Sequence, residues 1–261
     1  MSWIGLVLLL LGAPAHGYVM DTDGHGHPLW WAGSNGIGYR LIAGNVPEGT
    51  TGEDAVHRAF ASWSRASANL EYRFDGHDED AVQRNDGKNL VYWVYEDWPY
   101  DSALAAVTFR FYDTRNGKLI DADIVVNGEN YSWSDGGSGY DIENSLAHEV
   151  GHFGGLGHSD DSSATMFGRT RAHETAKRSL EADDLAGLEA VYGGVAGSAQ
   201  AGSRLDAAAA SDASASEGSG SGGGCAIART TSPRGLEDWL PIFVLLALLR
   251  LRLRRARRGS G

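Results

Sequence analysis

Residues 148–160 read HEVGHFGGLGHSD, and few folds accommodate such a stretch. On a helix, His148 and His152 lie one turn apart on the same face, so two imidazoles reach one ion. Glu149 is rotated by one residue and stands beside that ion without ligating it. Gly155 ends the helix and permits a turn that is closed to side-chain-bearing residues. The chain then doubles back, and His158 supplies a third nitrogen. Three neutral nitrogens with one open position is the layout of a catalytic zinc, whereas structural zinc sites are closed by four protein ligands. A single histidine on a helix is most often structural. The joint pattern H-E-x-x-H-x-x-G-x-x-H is a different matter, since chance produces it in a chain this long on the order of 1 time in 10,000.

The segments around this stretch have different characters. Residues 1–17, MSWIGLVLLLLGAPAHG, read as a signal peptide, with cleavage after Ala15 or Gly17, although the usual Lys or Arg is missing from its start. Residues 18–193 have globular composition. Residues 194–224 form a Gly/Ala/Ser-rich linker that lacks the apolar residues for a core. Residues 225–261 hold Cys225, a short apolar run Leu240–Leu249 and an Arg-rich end. That run is well short of the ~20 residues that span a bilayer. Cys225 is the only cysteine, so no internal disulfide forms. The net charge of −12 and the lack of a basic stripe in the central region exclude nucleic-acid binding.

Within the globular part, strands are expected at 36–44, 70–76 and 89–97, and two more within 105–128 around the turn signal Asn116-Gly117. Helices are expected at 50–67, opened by a Thr50–Glu53 capping box, at 141–155, and at 179–194 from a Ser179 N-cap to Gly193. This order gives an α+β (mixed α/β) fold with one twisted sheet.

The long histidine pattern resembles the zinc-binding consensus of the metzincin endopeptidases, matched at every fixed position. The resemblance implies that His148, His152 and His158 are zinc ligands and Glu149 the general base. It also implies that Met166, in SSATMFG, occupies the tight Met-turn beneath the metal. Ser159 after the third histidine, Phe167-Gly168 after the methionine, LEADDLAGLEAVYG further along, and DADIVVN upstream of the zinc helix resemble the matrixin branch. For the fold, the matrixin likeness implies a mostly parallel sheet with one antiparallel edge strand and three helices. It also implies that an extended substrate adds to the edge strand within Ala105–Tyr112, with a specificity pocket walled by Gly168–Lys177.

The chain departs from the family pattern as well. No histidine lies between His77 and His148, so the second, structural zinc common in matrixins is expected to be absent. No propeptide with a cysteine switch is expected before the domain. The loops DGHDEDAVQRNDG and SDGGSGYD read first as solvated turns, with calcium as the competing reading. GHGHP, residues 24–28, reads as a flexible arm, and His57 and His173 as surface residues. The tail resembles the sorting tags of bacterial surface proteins of the myxobacterial type, with Cys225 as the sorting or anchor residue.

The expectation is therefore an exported, surface-tethered, monomeric zinc endopeptidase acting on protein or peptide substrates. It is held at the membrane through its tail. Two other readings compete: a zinc-binding surface protein or adhesin without turnover, and a metal-dependent hydrolase of non-peptide amides. Intact Glu149 disfavours the first, since a binding module has no chemical need of a base there.

Overall fold

The computed structural model describes residues 17–33, 36–136, 138–193 and 223–231. The chain divides into units Met1–Thr230 and Thr231–Gly261, and only Thr231 of the second is among the described residues. Residues 1–16 of the expected signal peptide, most of the expected linker and the apolar and Arg-rich tail lie outside them. Among the described residues, no helix is long and apolar enough to cross a membrane.

The strands are β1 (Ile37–Ile42), β2 (Tyr72–Asp78), β3 (Leu90–Val94), β4 (Leu104–Asp113), β5 (Lys118–Asn127), β6 (Trp133–Ser134), β7 (Tyr140–Asp141), β8 (Arg169–Thr170) and β9 (Gly223–Thr231). Between them run helices α1 (Thr50–Ala66), α2 (Ile142–Phe153) and α3 (Ala182–Tyr192). The principal sheet has the order β2-β1-β3-β5-β4. Its first four members are parallel, and β4 joins β5 antiparallel at that sheet's edge, as expected. Beyond β4 the sheet continues through β9 to β8, an extension the sequence reading did not foresee.

Alternation along the strands builds a core on each face. Val91, Trp93, Ile124 and Val126 face α1 and α2, while Leu90, Tyr92, Val107, Phe109 and Val125 form a second cluster on the other face. From α1, Val56, Phe60 and Trp63 enter the first core. The Trp63 indole donates to the Ala147 carbonyl at 2.8 Å and ties α1 to α2.

Two helix starts differ from expectation. Gly49, not Thr50, is the N-cap of α1, and Glu53 instead approaches His77 Nε2 at 3.2 Å. Helix α3 starts from Glu181 rather than Ser179, because Glu181 and Asp184 form a reciprocal capping box two residues further on. The expected end at Gly193 holds. GHGHP is a folded turn rather than an arm, for a local reason: the buried Asp23 carboxylate accepts the His25 and His27 amides at 2.8 and 2.9 Å.

A buried acidic pair, Asp121 and Asp123, lies where β5 meets the loop before β3. Asp123 accepts the Arg84 and Leu90 amides at 3.0 and 2.9 Å, and Asp121 accepts the Asp86 amide at 2.9 Å. Burial outweighs these bonds and pushes Asp121 up to about 7 and Asp123 up to about 8. Both values lie above the unfolded carboxylate, so this stability is complete below about pH 4 and is lost as pH rises to about 8. Asp123→Asn, which cannot ionise, is therefore expected to gain on the parent by about 1–3 kcal/mol between pH 5 and pH 8. Urea titrations at both pH values check this, and an unchanged difference would sink it.

Candidate active site

Helix α2 carries the histidine pattern and is buried along its whole length. Asp141 caps its start by accepting the Asn144 amide at 2.8 Å. At its other end, orphan carbonyls find side-chain donors. Arg110 Nη1 reaches the His152 carbonyl at 3.2 Å, the Trp31 indole reaches Phe153 at 2.8 Å, and the Tyr192 hydroxyl reaches Gly154 at 2.7 Å. These contacts allow a helix to end inside the protein.

Gly155 has φ 97°, and a Cβ there would meet the Leu29 carbonyl oxygen at 2.1 Å. Glycine is required both for the left-handed backbone and for this close approach. The turn brings His158 back to the helix. Ligand atoms of His148, His152 and His158 all lie within 4.8 Å of one another, as the spacing implied.

The hydrogen bonds of the imidazoles test whether a cation fits. His148 Nδ1 meets the Thr165 carbonyl at 2.7 Å, and His152 Nδ1 meets the Leu156 carbonyl at 2.8 Å. A carbonyl accepts only, so each Nδ1 carries the proton and each Nε2 a lone pair. Those two Nε2 atoms face each other at 3.0 Å. His158 Nε2 is buried without a hydrogen-bond partner. Burial also holds all three histidines below the usual imidazole range, the first two strongly, which keeps them neutral. Converging lone pairs with no proton to share repel one another, and a cation between them removes that repulsion. The donor set suits zinc.

Glu149 is fully buried, and its Oε2 accepts the Thr108 hydroxyl from β4 at 2.5 Å. Met166 is buried against the same helix. A Cβ on Gly151 would meet Met166 Sδ at 2.1 Å, so only glycine between the two histidines admits the methionine. Asp184 of α3 holds this turn by accepting the Thr165 and Met166 amides at 2.8 and 2.9 Å. The turn after the third histidine is fixed separately, where the Ser159 hydroxyl donates to Asp183 at 2.6 Å.

Thr108, Arg110, Asp21 and Asp184 escaped the sequence reading. The Asp183-Asp184 pair is the signal available, since both acids are buried in the first turn of a helix that is otherwise partly exposed, and buried acids need partners. Cys225 falls in β9, next to the Gly224–Arg169 pair. The carboxylates of SDGGSGYD are engaged by arginines: Asp135 by Arg58 at 2.8 Å and Asp141 by Arg178 Nε at 2.8 Å. His57 is half-buried and contacts the Tyr39 hydroxyl at 2.6 Å, whereas His173 is exposed.

The matrixin family, a family of peptidases, matches residues 30–193. Human neutrophil collagenase is 30% identical over 186 residues, covering 70% of this chain and 37% of its own length. Metalloendoproteinase 1 of Glycine max is 29% identical over 177 residues, 64% of this chain and 53% of its own. Karilysin of Tannerella forsythia is 28% identical over 145 residues, 55% of this chain and 29% of its own. The chain thus spans between about a third and about half of the length of these relatives. With the family match reaching from Trp30 through the histidine cluster to the end of α3, this chain belongs to the matrixin family.

Proposed function

We propose that the chain is a zinc-dependent endopeptidase, exported and tethered outside the cytoplasm through its C-terminal tail, and working as a monomer. The observation that carries the enzymatic part is the convergence of three neutral imidazoles beside a buried carboxylate. His148, His152 and His158 hold the metal. When bound, zinc acidifies a water and polarises the scissile carbonyl. Glu149 takes the proton of the attacking water and passes it to the leaving nitrogen as the C–N bond breaks. Thr108 orients that carboxylate through the bond to Oε2, and Met166 packs beneath the helix that carries it.

A peptide substrate lies extended beside β4, hydrogen-bonded as an added strand. The segment Gly168–Lys177 walls the specificity pocket. Calcium forms no part of the proposal, because Asp135 and Asp141 already face arginines and Asp78 pairs with Lys88 at 2.8 Å. Export rests on the leader-like residues 1–17 and tethering on the tail, both as sequence.

The test is a proteome-derived peptide library incubated with the zinc-loaded chain and read by mass spectrometry. Internal cuts with a shared side-chain preference are expected. A chain that holds one zinc and leaves every peptide intact would overturn the enzymatic reading and favour a binding protein.

A further inference from the structure

The strand order β5-β4-β9-β8 places Gly223–Thr231 where the proposed substrate belongs. This strand is hydrogen-bonded to β4 on one side and to β8 on the other. Its register against β8 is antiparallel, with Gly223 opposite Thr170 and Gly224 opposite Arg169. Both neighbours belong to the site. Two residues of β4 serve the helix that bears the histidines: Thr108 binds Glu149, and Arg110 donates to the His152 carbonyl. Just before β8, Gly168 lies so near His158 that a Cβ would sit 3.0 Å from its Nδ1.

We propose that Gly223–Thr231 is an in-cis occupant of the substrate groove and competes there with peptide substrates; this rests on the endopeptidase reading above. The backbone chemistry supports it. Without β9, β4 would present a row of unpaired N–H and C=O groups, which is the template an extended substrate uses. β9 satisfies that row, so a substrate must displace it. The strand reads GGCAIARTT. It has no proline, so every residue can donate its N–H, and its first four residues are small enough for close backbone approach. Because residues 194–222 join it covalently to α3, the encounter is intramolecular. With an effective concentration of about 1 mM and a weak groove affinity of about 0.1 mM, the covered form outnumbers the open one about tenfold.

The test compares the zinc-loaded full chain with Ala226→Pro/Ile227→Pro. Adjacent residues of a strand direct their N–H groups to opposite sides, so this pair removes a donor toward each neighbour. The variant is expected to cut peptides about tenfold faster. Amide exchange in Leu104–Asp113 should be slow in the parent and faster in the variant. A synthetic peptide of residues 221–233, added in trans, should inhibit the variant competitively.

Equal exchange in both chains would overturn occupancy. Slowed exchange with equal cutting rates would overturn competition. Intact masses are recorded throughout, and cutting within Gly223–Thr231 would make the strand a substrate, which also overturns the proposal. If neither chain cuts any peptide, the endopeptidase reading has failed, and the exchange result still decides occupancy independently.

Discussion

Glu149→Gln is expected to lower kcat/KM by about 10²–10⁴-fold while leaving zinc content and folding unchanged. The size of the loss follows from the role: a positioned base contributes that much by taking a proton as the new bond forms. Retention of zinc follows from geometry. The three imidazoles are set by the Thr165 and Leu156 carbonyls and by the Gly155 turn, none of which involves the Glu149 side chain. The amide has the volume of the acid and keeps an oxygen to accept the Thr108 hydroxyl, so burial leaves no new cavity. Metal analysis, thermal unfolding and peptide cleavage on one preparation check all three parts. His152→Ala serves as the contrast, since it should lose the metal as well as the activity. A Glu149→Gln chain that cuts within tenfold of the parent would mean that another group takes the proton.

Most of this site was legible in the sequence because its determinants are local. The pattern from His148 to His158 needs only helical phase and one glycine, and the structure brings those residues together through Gly155. The apolar face of α1 and the hairpin at Asn116-Gly117 are local in the same way. The misses share a different origin. Thr108 and Glu149 are 41 residues apart, and no periodicity announces their contact. Ser179 looks like a helix cap, yet Glu181 takes the role because Asp184 returns the bond and also secures the Met166 turn. The strand at Gly223 lies in a segment whose glycines and alanines signal no core. Its pairing is carried by backbone groups that every sequence has.

The buried ion pair between Asp21 and Arg110 gives the second large effect. Asp21→Ala is expected to cost about 3–5 kcal/mol, a large part of the about 5–15 kcal/mol that holds a typical domain together. The guanidinium is fully buried and Asp21 only 2% exposed, so removing the carboxylate strands a charge where water cannot reach it. The double variant Asp21→Ala/Arg110→Met removes that charge too and should recover most of the loss, because an apolar side chain of similar length suits a dry site. Urea unfolding of the parent, both single variants and the double variant closes a cycle. A single-variant cost below about 1 kcal/mol, or a double variant no better than Asp21→Ala, would show that the pair is not what holds this region. The pair matters beyond its own energy. Asp21 also donates its amide to the Gly155 carbonyl at 2.9 Å, and Arg110 donates to the His152 carbonyl. One contact therefore clamps the residues after the leader-like segment onto the turn that delivers His158. Loosening it should lower zinc affinity in parallel with stability, although neither side chain is a ligand.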